Sequence, residues 1–334
     1  MFGLKTKKDD ERKLNVIIVG PSGMLGHELY DFLTEDAHSK YGSRIGKIKP
    51  VWHSEIDATD FHDFVWYFSD LVHSNTKWDY VVNCAAFTET LSCEEWNNRE
   101  KSYKVNALIP KNLARICHTH GIKLIHVSTN EVFSNSLSNK CSNDTPNPTS
   151  VYGMHKYLGE LFIKENMDEG EYAILRTSWL YGMHNSKSFI HKCVKTFVNH
   201  ERNGSELFGI DEEISIPTDV SYLSELILNA MKRGRNGIFN AINSGEPMSR
   251  LDYMKLILLN LQELGEFKDI NLNDIRNLTY DECPALRKIG RVVLESDDTE
   301  PLRIFSSVEC RYQLRKFLRK NGLEIVKWAR GEHA

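Results

Sequence analysis

Three glycines between an apolar run and an amphipathic run constrain the fold of this chain more than any other feature. Residues 14–20 (LNVIIVG) are apolar and β-branched, which predicts a buried strand. Gly20, Gly23 and Gly26 follow at GxxGxxG spacing, and residues 27–33 (HELYDFL) continue at helical spacing. In such a turn the first glycine permits the tight bend, the second permits close approach of a pyrophosphate, and the third lets helix and strand pack. The motif predicts a dinucleotide-binding turn, and an ordinary strand–turn–helix is the alternative that it leaves open.

Strands and helices alternate through the first half of the chain, a pattern that gives right-handed βαβ units and a parallel sheet. A predicted helix at 220–232 and a predicted strand at 237–242 continue this pattern, so we expect them to rejoin the sheet. The predicted fold class is α/β, a Rossmann-type doubly wound parallel sheet with a smaller, mixed α/β substrate-binding domain. The other predicted sheet elements are strands near 49–52 and at 78–85, 122–128 and 171–176, and helices at 106–119 and 152–167.

The predicted domain boundaries follow from where this alternation stops. The second half is more mixed and contains predicted helices near 186–200, 248–264 and 308–320. The predicted units are a charged tail at 1–13, an NAD(P)-binding domain at 14–178 plus 219–242, and a substrate-binding domain at 179–218 plus 243–334.

Composition narrows the function classes. The net charge of −4 offers no general basic field for a nucleic acid. No apolar run approaches the ~20 residues that span a bilayer, and the charged tail lacks the apolar segment of a secretory signal. The seven cysteines form no CxxC pair, which predicts reduced thiols, a cytoplasmic location and no metal site.

A tyrosine and a lysine four residues apart carry the predicted chemistry. Tyr152 and Lys156 share one face of a predicted helix, so the lysine ammonium can lower the high pKa of the phenol. The pair can then give a proton to a carbonyl oxygen as hydride reaches its carbon. Isolated YxxxK pairs are frequent, but here Ser128 and Thr129 end a predicted strand, and ligands of open α/β sheets lie beyond such ends.

The end of the second predicted strand bears on the choice of cofactor. An acidic residue there binds the ribose of NAD, whereas basic or small polar residues admit the phosphate of NADP. His53 and Ser54 favour NADP(H), and Glu55 favours NAD(H), so both cofactors stay open.

The order of GxxGxxG, NCAA, a strand ending in Ser-Thr, and YxxxK resembles the extended short-chain dehydrogenases, and within them the dTDP-4-dehydrorhamnose reductase family. The resemblance extends over residues 14–245 and is carried by residues 83–88, 105–107, 126–133, 148–153, 156–160 and 175–181. It implies that Thr129, Tyr152 and Lys156 are catalytic. With the motifs above, it gives as cofactor-binding residues Gly20, Ser22, Gly23, Met24, Leu25, Gly26, His53, Ala85, Ala86, Phe87, Tyr152 and Lys156, and as substrate-binding residues Ser128, Asn130, Glu131 and Trp179.

Departures from that family leave alternatives open. Asn130 stands where the family has an aspartate, and Glu131 resembles an acid of the nucleotide-sugar 4,6-dehydratases. An amide cannot act as a proton donor as an acid does, which disfavours dehydration. No cysteine follows the Ser-Thr pair, which disfavours epimerases similar to GDP-fucose synthase.

The resulting prediction is an NAD(P)H-dependent reductase of a nucleotide-linked 4-keto-6-deoxy sugar, in deoxysugar biosynthesis. A nucleotide-sugar epimerase or dehydratase of the same fold is one alternative. A non-catalytic dinucleotide-binding regulatory subunit, similar to that of methionine adenosyltransferase, is another. The predicted partner is a nucleotide sugar, with no nucleic acid and no membrane, and a homodimer is compatible with the sequence.

Overall fold

The computed structural model describes residues 12–38, 44–56, 60–184, 186, 188–283, 289–296 and 308–332, so most of the predicted charged tail lies outside the described residues. Within these ranges the strands are β1 (Leu14–Val19), β2 (Ile45–Val51), β3 (Tyr80–Asn83), β4 (Lys123–Thr129), β5 (Tyr172–Thr177), β6 (Leu180–Tyr181), β7 (Leu207–Gly209), β8 (Ile214–Ser215), β9 (Thr218–Asp219), β10 (Gly237–Asn240), β11 (Met248–Ser249) and β12 (Ile275–Asn277). The α-helices are α1 (Met24–Ala37), α2 (Phe61–Val72), α3 (Thr90–Glu94), α4 (Trp96–Tyr103), α5 (Ile109–His120), α6 (Val151–Asn166), α7 (Phe189–Asn203), α8 (Val220–Arg233), α9 (Arg250–Glu263) and α10 (Cys310–Arg330).

The central sheet, as far as the chain is described, has six parallel strands in the order β10-β5-β4-β3-β1-β2. The chain runs from β1 outward to β2 and returns with β3 on the other side of β1, so the strand order reverses between β1 and β3. Helices α1 and α8 cover one face, and α2, α5 and α6 cover the other. The predicted doubly wound α/β fold is confirmed, and the predicted helix and strand after residue 219 rejoin it as α8 and β10.

Burial on both faces explains why the strands read as continuous apolar runs. In β1, Val16 and Ile18 pack under α1 and α8, while Ile17 and Val19 pack on the opposite face. All four side chains are buried. Burying an aliphatic side chain of this size stabilises the fold by roughly 1.5–3 kcal/mol. Polar residues at every second position would lose this stabilisation on one face, so a sheet covered on both sides favours strands that are apolar throughout.

The chain before α5 departs from the predicted helix at 106–119. Residues Lys104–Leu108 form a π-helical turn, and α5 begins only at Ile109. Pro110 lacks an N–H and cannot make the α-helical hydrogen bond to the carbonyl of Asn106, which accounts for the irregular turn. The side chain of Asn106 binds both backbone groups of Phe87, at 3.0 and 3.2 Å, and so fixes the segment after β3.

A second core lies between α7, α9 and α10, together with the short strand pairs β6–β9, β7–β12 and β8–β11. It also includes Val132 and Phe133, which follow β4 and belong by sequence to the first predicted unit. The two-domain division therefore stays a prediction. Among the described helices, none combines the length and the apolar character needed to cross a membrane. The seven cysteines all lie within the described residues and are free thiols there.

Candidate active site

The glycine-rich turn between β1 and α1 is shaped by close backbone contacts. Gly20 has a φ of +82°, and a Cβ added there would lie 2.7 Å from the backbone of Ala85. A Cβ on Gly26 would lie 2.1 Å from the carbonyl oxygen of Gly20, so only glycine lets α1 pack against the turn. At Gly23 the nearest atom to an added Cβ would be 3.5 Å away, so packing does not require a glycine there. Gly23 instead borders an open cavity.

The first turn of α1 faces this cavity without a side-chain cap. Gly23 occupies the N-cap position and offers no oxygen to the first N–H groups of the helix. Met24 and Leu25 of that turn border the cavity. Uncapped N–H groups and the positive end of the helix dipole form a site that favours phosphate. The turn therefore fits the pyrophosphate of a dinucleotide.

The cavity has a volume of about 500 Å³ and lies beyond the carboxyl ends of the strands, where the strand order reverses. Open α/β sheets bind their ligands at this place. The structure brings together there most of the predicted site residues, namely Gly23, Met24, Leu25, Ala86, Ser128, Thr129, Asn130, Glu131, Tyr152, Lys156 and Trp179.

Other predicted cofactor residues do not border the cavity. Gly20, Gly26 and Ala85 are used in the packing of the turn itself. The ring of Phe87 lies 5.2 Å from the ammonium of Lys101. The roles predicted for this group stay predictions, and its members are Gly20, Ser22, Gly26, His53, Ala85 and Phe87.

Tyr152 and Lys156 lie one turn apart at the start of α6. Ser150 caps the helix, because its hydroxyl accepts a hydrogen bond from the N–H of Gly153 at 2.9 Å. A Cβ on Gly153 would lie 2.1 Å from the carbonyl oxygen of Glu131, so this first turn rests directly against the chain that follows β4. Both Tyr152 and Lys156 are buried.

Lys156 is anchored to the sheet. Its Nζ donates to the carbonyl of Val127 at 2.6 Å and lies 3.4 Å from Nε2 of His126. Burial lowers the pKa of Lys156 to about 8, against the effect of Glu160, which favours the ammonium. The lysine is therefore close to the balance between ammonium and amine at physiological pH.

The two hydroxyls at the end of β4 have different surroundings. Ser128 donates to Oε1 of Glu160 at 2.6 Å, and Glu160 is bound by Arg176 at 2.7 and 3.0 Å. The proton of Ser128 thus links β4 to α6. The hydroxyl of Thr129 accepts from the N–H of Glu131 at 3.2 Å and donates to Oδ1 of Asn130 at 3.3 Å. Thr129 has the longer, weaker bond and is the freer of the two to turn toward a ligand.

Asn130 joins the sheet to the second core. Its amide nitrogen donates to the carbonyl of Val292 at 3.0 Å and to the hydroxyl of Ser215 at 3.3 Å. Both acceptors lie more than eighty residues away along the chain. The amide, which replaces the acid of the related families, therefore serves as a donor between two parts of the fold.

The opposite wall of the cavity carries cationic and aromatic groups. Trp179 has a φ of +44°, which is unusual for a residue with a side chain. The guanidinium of Arg250 lies 3.6 Å from the centroid of the Trp179 ring and 3.0 Å from the carboxylate of Glu213. Lys192 also borders this end. Diphosphates are recognised by such cations.

Sequence reasoning predicted Trp179 but missed Arg250, Lys192 and Glu213, because no local motif marks them. Arg250 begins α9, Lys192 lies in α7, and Glu213 directly precedes β8. The sequence could have indicated Thr177, because Thr177 ends β5 just as Thr129 ends β4. The hydroxyl of Thr177 is buried beside the cavity and has no hydrogen-bond partner within the described part of the chain.

The expectation of no metal site stays untested. The structure brings His27, Asp31 and His184 together on the surface near α1, with potential ligand atoms within 4.8 Å of one another. The imidazole rings of His27 and His184 are stacked at 3.8 Å.

A glycine-rich turn that fits a phosphate and a Tyr-Lys pair on a helix open on one cavity of a doubly wound sheet. This combination is typical of the extended short-chain dehydrogenase/reductase class, to which this chain belongs. Within that class, the chain belongs to the family described as the RmlD substrate binding domain, whose model matches residues 14–321. The resemblance predicted from the sequence is confirmed.

Characterised relatives and a solved structure are consistent with this assignment. The dTDP-4-dehydrorhamnose reductase of Mycobacterium tuberculosis is 32% identical over 173 residues, which are 50% of this chain and 54% of that enzyme. The match thus spans about half the length of that relative. The dTDP-4-keto-6-deoxy-D-glucose reductase of Streptomyces niveus is 30% identical over 235 residues, 69% of this chain and 73% of that enzyme. A dTDP-4-dehydrorhamnose reductase structure from Clostridium acetobutylicum superposes with a TM-score of 0.75 at 26% identity, covering 92% of this chain and 100% of that chain.

Proposed function

We propose that this protein is an NAD(P)H-dependent reductase of a nucleotide-linked 4-keto-6-deoxy sugar. The observation that carries the proposal is the continuity of the cavity. It extends from the phosphate-binding turn at Gly23, past Thr129, Tyr152 and Lys156, to the cationic wall at Arg250. A dinucleotide at one end and a sugar diphosphate at the other would meet at the tyrosine.

Each catalytic residue has a distinct task in this proposal. The bound dinucleotide supplies a hydride to the carbonyl carbon of the sugar. Tyr152 gives its phenol proton to the carbonyl oxygen, so that the ketone becomes an alcohol. Lys156, as the ammonium, stabilises the phenolate that remains. Thr129 turns its hydroxyl from Asn130 to the same oxygen and holds the carbonyl in place.

The nucleotide-sugar end is assigned from the chemistry of the far wall. Lys192 and Arg250 would bind the diphosphate, and Trp179 would pack against the sugar. The unpartnered hydroxyl of Thr177 would bind a sugar oxygen, because a buried hydroxyl without a partner is costly. Similarity to a dTDP-4-dehydrorhamnose reductase and a dTDP-4-keto-6-deoxy-D-glucose reductase favours a dTDP-linked 4-keto sugar as the substrate.

Reduction is favoured over dehydration by the contacts of Asn130. Its amide donates two hydrogen bonds to Ser215 and Val292, and a carboxylate would face the carbonyl of Val292 without a proton to offer. The position is therefore adapted to an amide, and the acid that dehydration needs has no equivalent there.

The test is NADPH and NADH oxidation by the purified full chain with dTDP-, UDP- and GDP-linked 4-keto-6-deoxy sugars. We expect turnover with one of these sugars and a loss of about 10²–10⁴-fold in the Tyr152→Phe variant, because the proton donor is gone. Cofactor binding without oxidation of any member of the panel would contradict the reductase and favour the dinucleotide-binding subunit.

We also propose a cytoplasmic location. Seven free thiols suit a reducing cytoplasm. A homodimer stays a prediction, and light scattering of the full chain at micromolar concentration distinguishes it from a monomer.

A further inference from the structure

Behind the Tyr152–Lys156 pair lies a buried row of polar side chains that the proposed reaction leaves without a task. Asn83 ends β3, and His126 lies directly beside it on β4. Both side chains are 0% exposed. The row ends at Nζ of Lys156, 3.4 Å from Nε2 of His126. Polar groups buried this deeply are costly unless their hydrogen bonds are made, so the arrangement of their protons matters.

The contact between His126 and Lys156 follows from the repeat lengths of the two elements. Residues i and i+2 of a strand point to one face and are about 6.7 Å apart. Residues i and i+4 of a helix are about 6 Å apart along one side. His126 and Ser128 of β4 therefore match Lys156 and Glu160 of α6, and both pairs are in contact.

Asn83 determines which nitrogen of His126 carries the proton. Oδ1 of Asn83 accepts from the N–H of Ala85 at 3.1 Å, so the amide nitrogen faces Nδ1 of His126, also at 3.1 Å, and donates to it. Nδ1 thus acts as an acceptor, and a neutral ring must carry its proton on Nε2. Burial lowers the pKa of His126 well below its usual range, so the ring is neutral at physiological pH.

The Nε2–H fixed in this way faces the amino group of Lys156. Opposite an N–H donor, an ammonium finds no acceptor, whereas a neutral amine accepts the hydrogen bond with its lone pair. The carboxylate of Glu160, one turn along α6, acts in the opposite sense and favours the ammonium.

We propose that His126 is a positioning residue for Lys156: held in its Nε2–H form by Asn83, it favours the amine over the ammonium and lets the lysine lose and regain a proton during turnover. The role of this proton exchange in catalysis rests on the proposed reductase function. The exchange itself does not depend on that function.

The other ionisable groups around Lys156 do not duplicate this effect. Burial raises the pKa of the Cys84 thiol to about 12, so it stays neutral. The charge of Glu160 is shared with Arg176 in a buried ion pair. The ionisable groups near Lys156 from the packed elements are Cys84 after β3, His126 on β4, and Tyr152 and Glu160 on α6, with Arg176 of β5 behind Glu160.

The first test reads the tautomer directly. In the full chain labelled with ¹⁵N-histidine, the nitrogen chemical shifts of His126, assigned with a His126→Gln variant, distinguish the two neutral tautomers. We expect the Nε2–H form between pH 6 and 8. An Nδ1–H form in the unmodified protein overturns the proposal by itself, so the test stands even if a variant fails to fold.

The second test reverses the tautomer. In Asn83→Asp the carboxylate accepts from Nδ1–H, so Nε2 becomes an acceptor for the ammonium. We expect the titration midpoint of Lys156, followed by the ¹³Cε signal in ¹³C-lysine protein, to rise by about one pH unit or more. In the double variant Asn83→Asp/His126→Leu the introduced carboxylate is present without the imidazole, so the rise of the Lys156 midpoint should be clearly smaller. Equal shifts in the two backgrounds would overturn the proposal.

A matched control is His155→Gln. His155 neighbours Lys156 in sequence, but its ring binds Ser102 of α4 at 2.9 Å. We expect the Lys156 midpoint to stay unchanged. These measurements use no substrate, so absent turnover would contradict only the reductase, and an unaltered Lys156 titration in Asn83→Asp would contradict only the role of His126.

Discussion

At the scale of single residues, the cavity is supported by a buried ion pair between Glu160 and Arg176. Glu160 and Arg176 are each 1% exposed, and two hydrogen bonds join them. Arg176 also donates to the carbonyl of Ser142, and Ser128 donates to Glu160. Such a pair adds little net stability, but removing one partner leaves a buried charge without compensation.

The Glu160→Gln variant tests this pairing. We expect the free energy of unfolding in urea to fall by about 3–5 kcal/mol, because Arg176 would lose its counter-ion in a dry site. Glu263→Gln is the matched control, since Glu263 pairs with Arg315 at 2.9 Å on the surface. Its loss should stay under about 1 kcal/mol. Similar losses in both variants would argue against a buried, unscreened pair.

The pKa of Lys156 gives a pH dependence with opposite signs for activity and stability. In the proposed reaction the Lys156 ammonium stabilises the Tyr152 phenolate. This ammonium is lost as the pH rises through about 8, so we expect kcat/KM for NADPH oxidation to fall above that pH. An unfolded lysine titrates near ~10.4, so between about 8 and 10.4 the unfolded chain binds more protons and stability should rise with pH.

Urea unfolding at pH 7.5 and 9.5 checks the stability arm, with Lys156→Met as the control that lacks the titrating group. A kcat/KM profile that stays flat up to pH 10 would exclude Lys156 from the reaction.

At the scale of elements, two glycines at the turn into α1 have different roles. Gly26 is needed for packing, whereas Gly23 leaves space at the cavity. In Gly26→Ala the Cβ meets the carbonyl of Gly20, so we expect lower stability together with weaker cofactor binding. In Gly23→Ala we expect near-normal unfolding but a rise of roughly tenfold or more in the Kd for NADPH, about 1.4 kcal/mol, because the methyl group would occupy the space proposed for the pyrophosphate.

Thermal unfolding and fluorescence titration with NADPH measure the two effects in each variant. Tight NADPH binding by Gly23→Ala would place the pyrophosphate elsewhere.

The elements also show what the sequence could and could not predict. The glycine turn and the Tyr152–Lys156 pair were predictable because each depends on spacing within one strand or helix. The predicted start of the helix at residue 106 was wrong, because an irregular turn precedes α5. This turn is imposed by Pro110 and by the close packing of α6, since a Cβ on Gly159 would lie 2.5 Å from the carbonyl oxygen of Asn106. Arg250 was missed because only the tertiary fold brings the start of α9 to the cavity.

At the scale of the whole molecule, Asn130 is a cross-link between the sheet and the second core. Asn130→Asp replaces a donor by a carboxylate opposite the carbonyl of Val292, so we expect a loss of about 1–3 kcal/mol in urea unfolding and no dehydratase activity. Asn147→Asp, in the exposed loop where the amide binds Ser134 at 2.7 Å, is the control and should cost less. Release of a 4-keto product from a dTDP-hexose by Asn130→Asp would contradict this account.

The stacking of Arg250 on Trp179 has a practical consequence. The emission of an indole responds to charge near its ring, and here a cation lies 3.6 Å from the ring centroid. A diphosphate that draws Arg250 toward itself would change the field at Trp179 at the moment of binding. We therefore expect the emission of Trp179 to change when a nucleotide sugar is added and this change to be absent in Trp179→Phe, so that ligand binding is measured without any label or any turnover.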